Sequence, residues 1–320
     1  MCNLSIENFM DLVIEQVKEV IDENVTINKT VVLKNNSVRY HGLVITKENN
    51  NVSPTIYVDS LYKGFRKGML IEDIVDEIVA IYYSHNDKVS DVLIDLEKWM
   101  YFENVKEQIF MKVINYQRNK ELLDDHPYMR YLDLAVTFHI NVEGVMESQA
   151  SVKINNDLMR RWGIGIEELY EWARYNTEEL FPIVVKPMGE MLMDLMHKGY
   201  FKNNYEYEAT NEEICDIISD KSVIPEMYVM TNSCGVNGAG AIIYEELIEK
   251  FAKEHAGNIV VLPSSIHEVI CVTNVDEQDY SHLASMVKEV NMTQIMPEEI
   301  LSDNIYIYNE NANMLECYEV

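Results

Sequence analysis

The sequence is short of positive charge. Its 320 residues include 26 lysines and arginines against 54 aspartates and glutamates, a formal net charge of −28. Such an excess argues against nonspecific contact with DNA, RNA or an anionic membrane, all of which favour basic surfaces. Long apolar runs are missing as well. None reaches the roughly 18 residues that a membrane-crossing helix needs. Met1 to Glu7 has neither the basic start nor the apolar core of a signal peptide. Cysteine is sparse. Cys2, Cys215, Cys234, Cys271 and Cys317 are odd in number and widely spaced, with no CxxC pair, which speaks against a zinc ribbon or a disulfide framework. A reduced cytoplasmic protein is expected, its cysteines packing mostly as small hydrophobes.

What is present suits a folded chain. A hydrophobic share of 48% is too high for a disordered acidic polypeptide. At a soft prior of roughly 150 residues per domain, two or three domains are expected. Ile6, Phe9, Met10, Val13, Val17, Val20 and Ile21 fall at helical spacing, with Ser5 placed to cap. Val25 to Lys47 reads as a hairpin turning at Asn35-Asn36. A short extended piece at Ile56 to Val58 precedes a helix carrying Ile71, Ile74, Val75, Ile78 and Tyr82 on one stripe. Ile109 to Ile114 and Leu132 to Val142 are β-rich, and Ala150 to Ile154 can return as a further strand. These strands are expected to join the first hairpin in one sheet.

The middle reads as helical, with breaks at Gly163 and Gly165 and an end at Pro182. Met188 to Met196 carries four methionines on a further helix. Asn203 to Glu213 reads as an acidic linker. After it, strands at Met227 to Met230, Ala241 to Tyr244, Asn258 to Leu262, Val269 to Thr273, Ile305 to Tyr308 and Met314 to Tyr318 alternate with two helices. The expected fold class is α+β: an N-terminal helix and antiparallel sheet, a helical middle, and a C-terminal ββαββαββ unit. The expected domains are 1–154, a middle segment with its linker at 155–220, and 221–320.

Several blocks carry a resemblance. Met227-Tyr228-Val229-Met230-Thr231-Asn232, Gly238-Ala239-Gly240-Ala241-Ile242-Ile243-Tyr244, Leu262-Pro263-Ser264-Ser265-Ile266-His267-Glu268 and Leu301-Ser302-Asp303 resemble the recurring blocks of an uncharacterised bacterial family of unknown function. The middle segment Asn155 to Pro182 fits the same pattern, so the resemblance covers most of the chain. It implies a bacterial, cytoplasmic protein and transfers no activity.

Ser264, Ser265, His267 and Glu268 form the best candidate site, because a nucleophilic serine needs a base within reach and a third group to orient it. The alternative is a strand-connecting turn whose serines bond to local backbone, the commoner use of such residues. No GxSxG elbow is present. Cys234 with His267 as its base is a sharper version, requiring proximity and a depressed thiol pKa. His267-Glu268-Val269-Ile270-Cys271 starts like a metalloprotease helix but lacks the second histidine. The glycines at 235, 238 and 240 match no phosphate-binding pattern and read as a hairpin turn at Asn237-Gly238. No metal or cofactor is expected. Lys63, Arg66 and Lys67 beside Phe65, and Arg160-Arg161 before Trp162, are small basic clusters in an acidic chain, so direct nucleic-acid binding is not expected.

Two readings remain. One is a non-catalytic interaction or regulatory protein that binds a basic partner through an acidic C-terminal surface. Residues 201–320 hold 5 basic and 22 acidic residues, a net −17. The other is a small hydrolase-like enzyme with its site around Cys234 and Ser264 to Glu268.

Overall fold

Two units divide the chain, Met1–Leu96 and Glu97–Val320. The computed structural model describes residues 4–21, 24–47, 55–89, 96–142, 151–197, 226–255 and 258–318. The expected acidic linker, Cys2 and Cys215 lie outside the described residues.

In the first unit, helix α1 (Ile6–Val20) starts at Ser5, whose hydroxyl accepts the Asn8 N–H. Strands β1 (Val25–Leu33) and β2 (Arg39–Lys47) pair antiparallel from Val25↔Lys47 to Leu33↔Arg39. Asn36 and Ser37 turn the chain between them at φ 57° and 58°, in the left-handed region that asparagine tolerates. β3 (Thr55–Tyr57) completes a three-stranded sheet, followed by α2 (Asp59–Arg66) and α3 (Ile71–Val89). Phe9, Met10, Val13 and Val17 of α1 share one core with Ile74, Ile78 and Tyr82 of α3 and Leu43, Ile45 and Ile56 of the sheet.

The second unit holds two antiparallel sheets. In the smaller, β6 (Leu134–Asn141) is central. β4 (Ile109–Asn115) runs along one edge, while β5 (Tyr128–Tyr131) and β7 (Ser151–Lys153) follow each other along the other. The larger has the order β13-β12-β10-β11-β9-β8, from β8 (Ile183–Pro187), β9 (Met227–Asn232), β10 (Val260–Leu262), β11 (Val269–Val272), β12 (Ile305–Asn309) and β13 (Met314–Tyr318). Seven helices accompany them among the described residues: the short α4 (Leu96–Trp99) and α5 (Lys120–Leu123), then α6 (Asn156–Trp162), α7 (Ile166–Leu180), α8 (Met188–His197), α9 (Glu245–Glu254) and α10 (Tyr280–Thr293). One core runs through Val113, Val136, Phe138 and Ile140 of the small sheet, Leu169 and Ala173 of α7, and Val261, Val269 and Tyr306 of the large sheet. A second core lies between the other face of the large sheet and α10.

The mixed α+β architecture agrees with the sequence, and four details correct it. The division falls after residue 96 rather than 154, because the small sheet and α7 share a core with the C-terminal strands. The first hairpin stays in its own sheet rather than joining β4 and β6. Leu132, at φ 52°, turns the chain so that Tyr128–Tyr131 becomes a strand ahead of β6. Ala241 to Tyr244 is not a strand. Both edges of β9 are occupied, by β8 and β11, which leaves no edge for a return strand. The chain coils instead into a 3₁₀ helix, Gly238–Ile243, whose apolar side chains enter the core.

Asp133, in the turn between β5 and β6, ties the two sheets together. Its carboxylate accepts from the Ser302 hydroxyl at 2.6 Å, the Tyr306 hydroxyl at 2.7 Å and the Asn304 amide at 3.0 Å. Ser302 and Tyr306 are fully buried, so neither hydroxyl has water to turn to. Asp133→Ala is expected to lower the unfolding free energy by about 3 kcal/mol, read from urea denaturation, since hydrogen bonds to a charged group are lost and buried donors are left unpaired.

Candidate functional site

The loop from Pro263 to Glu268 connects β10 to β11 and is bonded to backbone on both sides. On one side the Leu301 N–H donates to the Ser264 carbonyl at 3.1 Å, the Ser302 N–H to the Pro263 carbonyl at 2.9 Å, and the Ile266 N–H to the Glu299 carbonyl at 2.9 Å. On the other, the Gly238 and Ala239 N–H groups donate to the carbonyls of His267 and Ile266 at 2.9 and 3.2 Å. The Thr231 hydroxyl adds a second bond to the His267 carbonyl at 2.8 Å. Gly238 is required by this crowding. A Cβ there would lie 2.3 Å from Thr231 Oγ1, 2.6 Å from the Asn232 nitrogen and 2.7 Å from the His267 carbonyl oxygen.

The side chains follow the backbone. Ser265 is buried and its hydroxyl accepts the His267 N–H at 2.9 Å while donating to the Glu268 carboxylate. His267 Nδ1 accepts the Asn237 N–H at 3.2 Å, which puts the neutral ring's proton on Nε2. Nε2 lies 3.4 Å from Glu299 Oε1. Both ring nitrogens are therefore engaged, and neither serine nor Cys234 lies within hydrogen-bond reach of the ring among the described residues. Cys234 sits in an exposed turn whose N–H is held by Asn232 Oδ1 at 3.1 Å. Asn237 and Gly235 turn the chain there at φ 53° and 66°, leading into the 3₁₀ helix rather than across a hairpin. Burial raises the Glu268 carboxyl above its ordinary value, opposed by the Ser265 hydroxyl and His267. Burial also pushes the Cys271 thiol up to about 12, which keeps it from acting as a thiolate. Among the described residues no three His, Cys, Asp or Glu side chains are grouped to hold a metal ion.

The sequence candidates thus meet as a structural junction, not as a nucleophile with its base. A cleft of about 670 Å³ in the same unit is lined by Arg118, Asn291, Met292, Ile295, Met296 and Asp303 among others, and by none of the five candidates. The family of unknown function DUF5688 matches residues 6–310. The chain belongs to that family. No curated protein and no solved structure matches it significantly. The DUF5688 match spans both units, in keeping with a resemblance that covers most of the chain.

A polar cluster on the small sheet of this DUF5688 chain is harder to see in sequence. Phe110 and Lys112 of β4, Thr137 and His139 of β6, and Ser151 and Lys153 of β7 alternate along their strands and share the face opposite the core. The Thr137 hydroxyl donates to the Lys112 carbonyl at 3.3 Å and accepts from His139 Nε2 at 3.1 Å. His139 Nδ1 then carries a buried lone pair with no partner. The signal was the period-two alternation, but each residue taken singly looks like a solvated strand position.

Two outcomes test these assignments. Gly238→Ala is expected to lower stability by about 1–3 kcal/mol in denaturant melts, whereas Gly240→Ala, which meets nothing within 4 Å, leaves it nearly unchanged. Burial and the nearby lysines hold the His139 imidazole well below its ordinary 6.5, so the unfolded chain takes up a proton that the native state refuses. Its contribution to stability is complete above about pH 6.5 and is lost as pH falls below it. His139→Gln should flatten that acid limb in urea midpoints measured from neutral pH downward.

Proposed function

We propose that this chain is a non-catalytic binding protein that docks a basic partner on the acidic surface of its C-terminal portion. Residues 97–320 contain 17 basic and 39 acidic residues, a net −22. The observation that carries the reading is a group of exposed carboxylates at one end of the large sheet. The Glu226 carbonyl accepts the Thr273 N–H at 3.1 Å, which brings Glu226 beside the turn holding Asp276, Glu277 and Asp279. All four are exposed, and no cation lies within ion-pair distance of them among the described residues. Exposed charges of one sign repel each other and raise the local concentration of an oppositely charged partner.

The hydrolase alternative has no matching support, because the ring nitrogens of His267 are taken by a backbone N–H and by Glu299. Among the described residues no helix is long and apolar enough to cross a membrane. A reducing cytoplasm suits the proposed reading, since among the described residues Cys234, Cys271 and Cys317 form no disulfide and Cys234 is exposed.

A lysine- and arginine-rich peptide provides the test. Binding should weaken steeply with added salt. Replacing Asp276, Glu277 and Asp279 by their amides should weaken it about tenfold, from about 0.5 kcal/mol per exposed charge. The same replacement at Glu167, Glu168 and Glu171 of α7 removes equal charge elsewhere in the unit and should cost far less. Equal losses from the two variants would reduce the effect to net charge alone and sink the reading.

A further inference from the structure

Within the acidic second unit, one corner of the small sheet has the opposite character. Lys112 is half-buried on β4, and its Nζ donates to the Ser151 hydroxyl at 3.0 Å and sits 5.2 Å from the centre of the Phe110 ring. Among the described residues those are its partners and no carboxylate lies within ion-pair distance of it. Lys153 lies across β6 on the same face, paired in register with His139. Among the described residues, the charged and titratable groups that act on His139 are Lys112 from β4, Lys153 from β7 and His126 from the segment before β5, and all are basic. Burial and the neighbouring Lys153 pull the Lys112 ammonium down to about 8. A desolvated cation beside a second cation is a costly arrangement that a nearby negative charge relieves.

We propose that the corner formed by Lys112, Ser151 and Lys153 binds a small oxyanion, a phosphate or a carboxylate. Lys112 and Lys153 supply two ammonium groups from strands on either side of β6. Ser151 accepts from Lys112, so its own hydroxyl proton is free to donate to an incoming oxygen. His139 stays neutral in this setting and adds no repulsion to a cationic site. Its unpartnered Nδ1 lone pair marks the same face as incompletely satisfied. The ligand is of opposite charge to the basic partner proposed above and meets a different face, so the two readings stand or fall separately.

By linkage, an anion that binds the protonated amine must raise the pKa of that amine. The experiment is a pH titration of the Lys112 side chain in the full-length protein, by side-chain NMR or by pH-dependent acetylation read by mass spectrometry. It is run in chloride, then with inorganic phosphate or acetate at constant ionic strength. The expected midpoint in chloride is near 8, rising by about one unit in phosphate, acetate or both. A response to phosphate alone assigns a phosphate site, and a response to acetate assigns a carboxylate site. Lys153→Met alters an exposed side chain, should leave the fold intact, and should abolish the shift. A Lys112 midpoint near that of an ordinary lysine in chloride would overturn the proposal. So would no response to either anion, or a shift that persists in Lys153→Met.

Discussion

The second unit depends on one carboxylate. Asp133 sits at the tip of the β5–β6 hairpin, and the donors it satisfies come from residues 302 to 306, at the start of β12. Neighbouring bonds run the same way: the Asn115 amide donates to the Leu301 carbonyl at 3.0 Å, and Arg118 pairs with Asp303. The end of the small sheet is therefore bonded to the chain that enters the large one. Burial with Asp133 alongside raises the Tyr306 phenol well above its ordinary value, so it remains a donor across the physiological range. A buried polar network of this kind fixes register only if every member is satisfied, and here the hydroxyls and the carboxylate satisfy one another.

The same stretch of chain explains why the serine- and histidine-containing loop is structural. Residues 299 to 302 meet the loop from Pro263 to Ile266 backbone to backbone, and Ser265 also bridges to Ile300. The loop is held between this stretch and the Gly238–Ala239 N–H groups, which draws its polar side chains into local bonds. Serine, histidine and glutamate in sequence can build a catalytic set or a satisfied turn. The choice depends on where the ring nitrogens point, and that is decided by Asn237 and Glu299.

Charge follows the totals in one part of the second unit and departs from them in another. The exposed acids at the end of the large sheet agree with the net −28. The lysines and histidine of the small sheet form a basic enclave that no composition count reveals. Strand pairing makes it, by placing β4 and β7 on opposite edges of β6 so that their alternating polar residues fall on one face.

Local patterns were legible in the sequence. The α1 and α3 stripes, the Ser5 cap, the Asn35-Asn36 turn and the break at Gly163 depend on residues a few positions apart, where helical periodicity and left-handed backbone preferences act directly. The sequence determined the α+β class, the acid excess and the residues of the candidate loop. Tertiary structure decided the rest. β8 took the edge of β9 that Ala241 to Tyr244 would have needed, and that segment became a buried 3₁₀ helix because edge occupancy depends on a strand about forty residues upstream of β9 in the chain. It also decided what the loop and the lysines can do, because hydrogen-bond partners and shared faces come from residues distant in sequence and close in space.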